Sequence, residues 1–399
     1  MPSLSRGPRP GTPLLALCIL LGGAAGPASA QQSITDVLTF LLTNRSIQTG
    51  DFVRDEQAAA ETSDIVARFL ILDVATLPVS SSSGGFTYRL DPSLGTVVRS
   101  SESFGPFFAE RSLTAGRRRA SLAIGYRSTT FDNIDGRDLR NGTLVSTASI
   151  LRGESAPFDI ETVALRIRTD TMTLTGNVGV TDRFDIGGAI PFVRVSLQGQ
   201  RVDTYRGREL VQAIGTASAS GLGDAVLRAK YNLLRDGGTG LAIAVETRLP
   251  TGREADLLGS GRASLAPRLI GSYEGDRVGV HGELGYSFPG VSDILGYAAA
   301  VTVVAVSRLT IVGELSGLRI SGLGHLAETT QPHPRLVGVD TIRLTGVDET
   351  TDRIVAVAGF KWNVANTWLL TANVRRSLTD VGLNAGWVPT ITFDYSFGR

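Results

Sequence analysis

The sequence has one cysteine, Cys18, among 399 residues, so an intrachain disulfide and a multi-thiolate metal site are both excluded. Histidine is scarce as well. The three present, His281, His325 and His333, show no HExxH spacing, which removes the usual zinc-hydrolase signature. Charged residues make up only 19%, and the formal net charge is +1, so nothing here calls for nucleic acid. Lysine is nearly missing: Lys230 and Lys361 stand alone among many arginines, which reads as compositional bias. Past residue 30 there is no run of eighteen apolar residues, so no transmembrane helix is expected. A P-loop, a dinucleotide fingerprint and a nucleophile elbow are also lacking, and no cofactor is implied.

What the sequence does have begins at the N-terminus. Arg6 and Arg9 precede an apolar run from Leu14 to Leu21 and then Ala28-Ser29-Ala30. That is the pattern of a secretory signal peptide over residues 1–30, which would carry Cys18 away with it. Its removal takes two arginines and no acid, leaving 37 basic against 38 acidic residues. Residues 31–117 read as a mixed segment. A helix is expected over Ser33–Asn44, where Ile34, Val37, Leu38, Leu41 and Leu42 fall on one face and Ser33 with Asp36 resembles a capping box. A second helix is expected from Asp55 to about Val74. A small hairpin around Asp91-Pro92 and a strand over Phe107–Leu113 complete the segment, which sits below the rest of the chain or plugs it.

Regular alternation starts near Ala120, and it is clearest from Gly221 to Gly252. Leu227, Ala229, Tyr231 and Leu233 alternate with Arg228, Lys230 and Asn232. Ile243 and Val245 alternate with Glu246 and Arg248. A strand points successive side chains to opposite faces, so this hairpin has one apolar and one charged face. The pattern continues to the C-terminus with almost no helix to cover it, which makes lipid the expected cover. About twelve such strands can be placed, an even number as single-chain bacterial barrels have, with fourteen the alternative count. They lie near 119–131, 159–180, 184–197, 222–234, 239–250, 262–274, 277–288, 293–306, 308–320, 353–363, 367–378 and 386–397. Parity changes in the second near Asp170, where a bulge is expected, and in the third at Pro191, where the missing N–H forces an edge, bulge or kink. Short turns alternate with long connections. The reading is all-β: an antiparallel up-and-down transmembrane barrel over residues 118–399 in the bacterial outer membrane, with a small helical and mixed N-terminal plug.

Face parity then assigns roles. Arg166, Arg168, Arg228, Lys230, Glu246, Arg248, Arg268, His281, Glu283 and Glu314 are expected to line the lumen. Phe184, Tyr231, Tyr273, Trp362, Trp368 and Phe397 lie on apolar faces near the short turns. Phe192, Tyr286, Phe288, Tyr297 and Trp387 lie toward the long loops. Together they form two interfacial girdles. A three-residue turn at Asp236-Gly237-Gly238 sets Arg228 opposite Glu246 and Leu233 opposite Leu241. A two-residue turn at Gly275-Asp276 sets Arg268 opposite Glu283. These pairs make a charged belt in the lumen. The cluster Asp132, Asp135 and Asp138 lacks the spacing of a calcium loop and reads as a solvated loop. No catalytic or metal constellation emerges.

Thr181–Val195 (TDRFDIGGAIPFVRV), Gly221–Leu234 (GLGDAVLRAKYNLL), Glu246–Gly252 (ETRLPTG) and Asp256–Gly261 (DLLGSG) resemble a family of bacterial outer-membrane transporters linked to the MetA pathway of phenol degradation. That family is similar to barrels that import fatty acids and aromatic hydrocarbons. The resemblance implies a passive channel for small hydrophobic or aromatic solutes, with an N-terminal hatch. The last strand, Trp387 to Phe397, resembles the signal read by the barrel assembly machinery, although Gly398 and Arg399 follow the aromatic. Two other classes are weighed: a barrel enzyme acting on lipids or esters, and an adhesive or structural surface protein. The absent catalytic signature disfavours the first, and two girdles on a lipid-facing wall disfavour the second.

Overall fold

Alternating apolar and polar residues can bury one face only by closing a sheet on itself or by stacking sheets, and this chain closes. The structure, a computed structural model, describes residues 33–75, 81–91, 96–365 and 367–397. The expected signal peptide lies outside them. Twelve strands form the wall: β1 (Ala120–Thr130), β2 (Asp159–Gly179), β3 (Phe184–Tyr205), β4 (Ala225–Asp236), β5 (Thr239–Leu249), β6 (Ser264–Glu274), β7 (Val278–Ser287), β8 (Asp293–Val306), β9 (Leu309–Ser321), β10 (Thr351–Ala365), β11 (Trp368–Ser377) and β12 (Val388–Phe397). Each pairs antiparallel with its neighbour in sequence, and β12 pairs with β1, so the sheet has no free edge along the wall. All twelve expected strands are present. In lipid a closed ladder is what satisfies every backbone group.

The outer face is apolar. Leu227, Leu269, Leu315 and Ile391 are each about half exposed there. Tyr231, Tyr273, Trp362, Trp368 and Phe397 point outward at the short-turn rim, and Phe192, Tyr286, Phe288, Tyr297 and Trp387 point outward toward the other. Phe184 is outward and half-buried.

Four further strands, Leu144–Leu151, Arg208–Leu222, His325–Pro332 and Val339–Val347, raise the wall above the long-loop rim. Here several expectations are corrected. The stretch 198–221, read as a loop, is instead the end of β3 and its hairpin partner, turning on Arg206 and Gly207 at φ 49 and 77. Neither parity change occurs. β2 keeps one continuous register with β1 and β3, through Asp170 and opposite Pro191. What inverts is the surroundings. In the lipid-facing part the inner side of β2 carries polar Asn177, but above it the same side carries Val163, Leu165 and Ile167, packed on helices, while the outer side meets water. Arg166 and Arg168 are therefore on the exposed outer face and do not line the lumen. Arg168 pairs there with Asp170 at 2.9 Å.

The helices fill this upper cup. Helix α1 (Ile34–Leu42) has the expected capping box: Asp36 N donates to Ser33 Oγ at 3.0 Å, and Ser33 N donates to Asp36 Oδ2 at 3.3 Å. Its apolar face lies so close to the sheet that a Cβ on Gly199 would sit 2.5 Å from Leu41 Cδ1, and one on Gly215 would sit 2.9 Å from Val37 Cγ1. Helix α2 (Phe52–Ala75) crosses the cup, packing Ile65, Phe69 and Leu72 inward. The sequence left open whether the N-terminal segment lies below the barrel or inside it. The helices are in fact at the long-loop mouth, while residues 101–115 lie against inward-facing wall side chains and end at the short-turn rim, where Thr114 Oγ1 donates to Asp182 O at 2.7 Å.

Candidate functional site

Between α2 and β1 the structure describes residues 81–91 and 96–115. Tyr88–Asp91 pairs with Thr96–Arg99 as the expected hairpin. Phe107–Leu113 is not a strand. Its backbone has no ladder partner, so its polar groups must be met in another way. They are met by side chains of the wall. Phe107 N and Phe108 N each donate to Glu314 Oε2 at 3.1 Å, and Ala109 N donates to Glu314 Oε1 at 2.7 Å. Glu110 N donates to Glu283 Oε2 at 3.0 Å, Ser112 N to Ser272 Oγ at 2.8 Å and Ala115 N to Asp185 Oδ2 at 2.9 Å. The carbonyls are met from the wall too. Lys361 Nζ donates to Gly84 O and Pro106 O, Lys230 Nζ to Arg111 O, and Asn232 Nδ2 to Ser112 O, all between 2.7 and 3.1 Å. The segment is thus fastened by wall side chains and takes no part in the barrel ladder. We refer to it as the hatch.

Glu110 is the hatch's main anchor. Its carboxylate is fully buried, paired with Arg228 and, at 3.1 Å, with Lys230 Nζ. It also accepts from Ser82 N at 2.7 Å. Burial by itself would raise this carboxyl, but Lys230 and Arg228 outweigh burial and hold it at about 2. The next residue, Arg111, points the other way and gathers the hatch around itself. Its guanidinium donates to Ser83 O at 2.6 Å, Gly85 O at 2.8 Å and Ser103 O at 3.3 Å. Burial lowers the Arg111 pKa, and Glu274 opposes that shift.

The expected belt lies at this level. Arg228 Nη2 meets Glu246 Oε2 at 2.6 Å, Arg248 Nη2 meets Glu246 Oε1 at 3.2 Å, and Arg268 bridges Glu246 at 3.4 Å and Glu283 at 3.0 Å. His281 is buried, with Ser272 Oγ and Thr302 Oγ1 both 3.3 Å from its ring nitrogens. Eight of the ten expected lumen residues face inward, Arg166 and Arg168 being the exceptions. The registers differ in detail. Arg228 stands opposite Glu246, but the turn is Gly237-Gly238, both left-handed, and a bulge at Leu233 compensates, so Leu234 rather than Leu233 meets Leu241. In the next hairpin the loop is longer than read: Ile270 opposes Glu283, and Arg268 opposes Gly285. A slip of two residues preserves every face, and Arg268 reaches Glu283 diagonally. Of the loop aspartates, Asp135 caps Leu326 N and Gly382 N, both at 2.7 Å, and Asp132 caps Gly386 N at 2.8 Å, so they brace loops.

No motif or spacing marks Glu110, Arg111 or Asp73 in the sequence. Lys361, Arg353, Arg375 and Arg127 are legible by parity, since each shares the inward side of its strand. Among the cavities of the lumen, two bear on the argument. One, of about 170 Å³, lies toward the long-loop end between Phe108-Ala109 and the wall. The other, of about 240 Å³, lies at the short-turn end against Gly85, Phe86, Tyr88 and Ala115.

A closed twelve-strand wall with an apolar outer face, two aromatic girdles and a charged, partly filled lumen defines an outer-membrane β-barrel. The family model described as "Putative MetA-pathway of phenol degradation" matches residues 142–385, more than half of the chain, and the chain belongs to that family. No curated protein matches. Similar solved structures include the COG4313 outer membrane channel from Pseudomonas putida F1 (13% identity, 72% of this chain and 98% of that one, TM-score 0.45), the KdgM porin (10%, 69% and 99%, 0.36) and the CymD monoaromatic hydrocarbon channel (11%, 71% and 90%, 0.29).

Proposed function

We propose that the protein is a passive channel that admits small hydrophobic or aromatic solutes across the outer membrane, and that the structure is its closed state. The observation that carries this reading is the manner in which the hatch is held. A segment meant only to fill a barrel would be expected to join its sheet or its apolar core. This one is bound by side-chain contacts to Glu314, Glu283, Lys230 and Lys361, which can exchange for water as it moves. The cavities above and below it supply the two halves of a path. Membership of a family described by phenol degradation supports a small aromatic solute.

The test is uptake of phenol into vesicles with lipopolysaccharide in the outer leaflet, with and without the reconstituted protein. Faster entry with the protein, abolished by a disulfide engineered between the hatch and the wall, is the expected result. Equal entry with and without the protein would overturn the reading.

A further inference from the structure

The acids and bases around the upper cavity are unevenly matched. Three carboxylates line it, and each is already committed. Glu246 meets Arg228, Arg248 and Arg268; Glu283 meets Arg268 and Glu110 N; Glu314 accepts three backbone N–H groups of the hatch. At the end nearest α2 the balance reverses. Arg127 from β1, Arg353 from β10 and Arg375 from β11 surround a single carboxylate, Asp73, near the end of that helix. Arg127 Nη2 lies 3.2 Å from Asp73 Oδ2, while Arg375 Nη2 and Arg353 Nη2 lie 3.0 and 3.8 Å from Oδ1. Three positive charges thus share one negative charge away from bulk water. Of the donors at the cavity, Arg353 Nη2 also donates to Leu383 O at 3.1 Å, but Arg353 Nε has no hydrogen-bond acceptor among the described residues. Buried guanidinium donors without acceptors are costly, and a carboxylate is the group that best meets them.

Arg353 and Arg375 also line the cavity, and the wall beside them is apolar: Phe108, Ile294, Leu318, Val355 and Val357. A cavity of about 170 Å³ is of the size that takes one aromatic ring, since an engineered apolar cavity of about 150 Å³ in another protein binds benzene. Resting on the channel reading above, we infer that this cavity is a binding site for an aromatic carboxylate, with its carboxylate on Arg353 and Arg375 and its ring against Phe108, Val355 and Val357. Arg127 is not in the cavity wall. It stays with Asp73 when the ligand takes the other two, so the ligand competes with α2 for Arg353 and Arg375. Occupancy then loosens the grip on the end of that helix, which couples arrival of the solute to release of the plug.

The experiment is equilibrium dialysis of the full-length protein in detergent against radiolabelled benzoate, with benzyl alcohol as its neutral counterpart and inorganic phosphate as competitor. Heat-modifiable mobility checks that each variant is folded. Benzoate is expected to bind about tenfold tighter than benzyl alcohol, and about tenfold weaker to Arg353→Gln or Arg375→Gln than to wild type, the scale of one charge-assisted hydrogen bond. Asp73→Asn, which removes the competitor, is expected to tighten benzoate binding and leave benzyl alcohol unchanged. Equal binding of the two probes, equal displacement of benzoate by phosphate, or weaker benzoate binding to Asp73→Asn would each overturn the site. Vesicle uptake separates this from the broader reading: protein-dependent entry of phenol with no benzoate preference sinks the carboxylate site alone. Arginine-dependent benzoate binding with no protein-dependent entry sinks the channel and leaves the site.

Discussion

The chain's two lysines do the same kind of work, and that work explains why they are not arginine. Each Nζ meets partners from different directions: Lys230 reaches Ser83 Oγ, Glu110 Oε2 and Arg111 O, and Lys361 reaches Gly84 O and Pro106 O. A compact ammonium meets partners spread in three dimensions, whereas a guanidinium's donors lie in one plane. Glu110 is the group whose loss is most readily measured. Replacing it with Gln leaves Lys230 charged and buried without its ion-pair partner, a change that typically costs about 3–5 kcal/mol. The thermal midpoint of the purified barrel with its hatch docked should fall accordingly at neutral pH. The sign with pH follows from the depressed pKa. Glu110 ionises at about 2 when docked against an ordinary 4.5, so its contribution is complete above about 4.5 and is lost as pH falls toward 2. Wild type and Glu110→Gln should therefore converge in stability over that window. A constant gap between them would show that Glu110 is not the group whose protonation weakens the hatch.

Among the elements, the hairpins show how a register can be wrong while the faces are right. The turn after β6 is two residues out of step with the sequence reading, and because side chains alternate with period two, Arg268, His281 and Glu283 still face the lumen. Paired residues on neighbouring antiparallel strands have Cα atoms about 4.5–5.5 Å apart, within disulfide range. A cysteine pair at 270/283 should thus crosslink under mild oxidation, as should 228/246, and a pair at 268/283 should not. Efficient crosslinking at 268/283, read as a mobility shift without reductant, would restore the shorter turn. Phe107–Leu113 teaches a related lesson. Its composition suits a strand, but the wall offers no free edge for it, so its N–H groups go to Glu314, Glu283 and Ser272.

At the scale of the molecule, the barrel and its plug are held by different forces. The wall is a continuous ladder; the upper cup is a hydrophobic core shared by α1, α2 and the raised strands; the hatch is an ionic and hydrogen-bonded joint. Removing Ser33–Val74 takes away the cup's filling and Asp73, but no ladder bond of the twelve-strand wall. The truncated barrel should still show heat-modifiable mobility, and its single-channel conductance in planar bilayers should rise well above that of the full chain. Unchanged conductance would place the principal constriction in residues 81–115 alone.

The sequence by itself determined the wall. Strand number, strand order, the outward girdles and the inward positions of Arg228, Lys230, Glu246, Arg268 and Glu283 all follow from period-two alternation, which is local and survives a slipped turn. It also determined α1, because apolar spacing and the Ser33–Asp36 cap lie within a few residues of one another. Tertiary structure decided the rest. Arg166 and Arg168 were assigned inward on the premise that charge faces the lumen along a whole strand. That premise fails above the membrane, where helices make the inside apolar and water makes the outside polar. The hatch, and the grouping of Asp73 with Arg127, Arg353 and Arg375, joins residues up to three hundred positions apart. No local pattern marks them, because a single polar side chain in an irregular segment looks the same in sequence whether it meets water or a buried counter-charge.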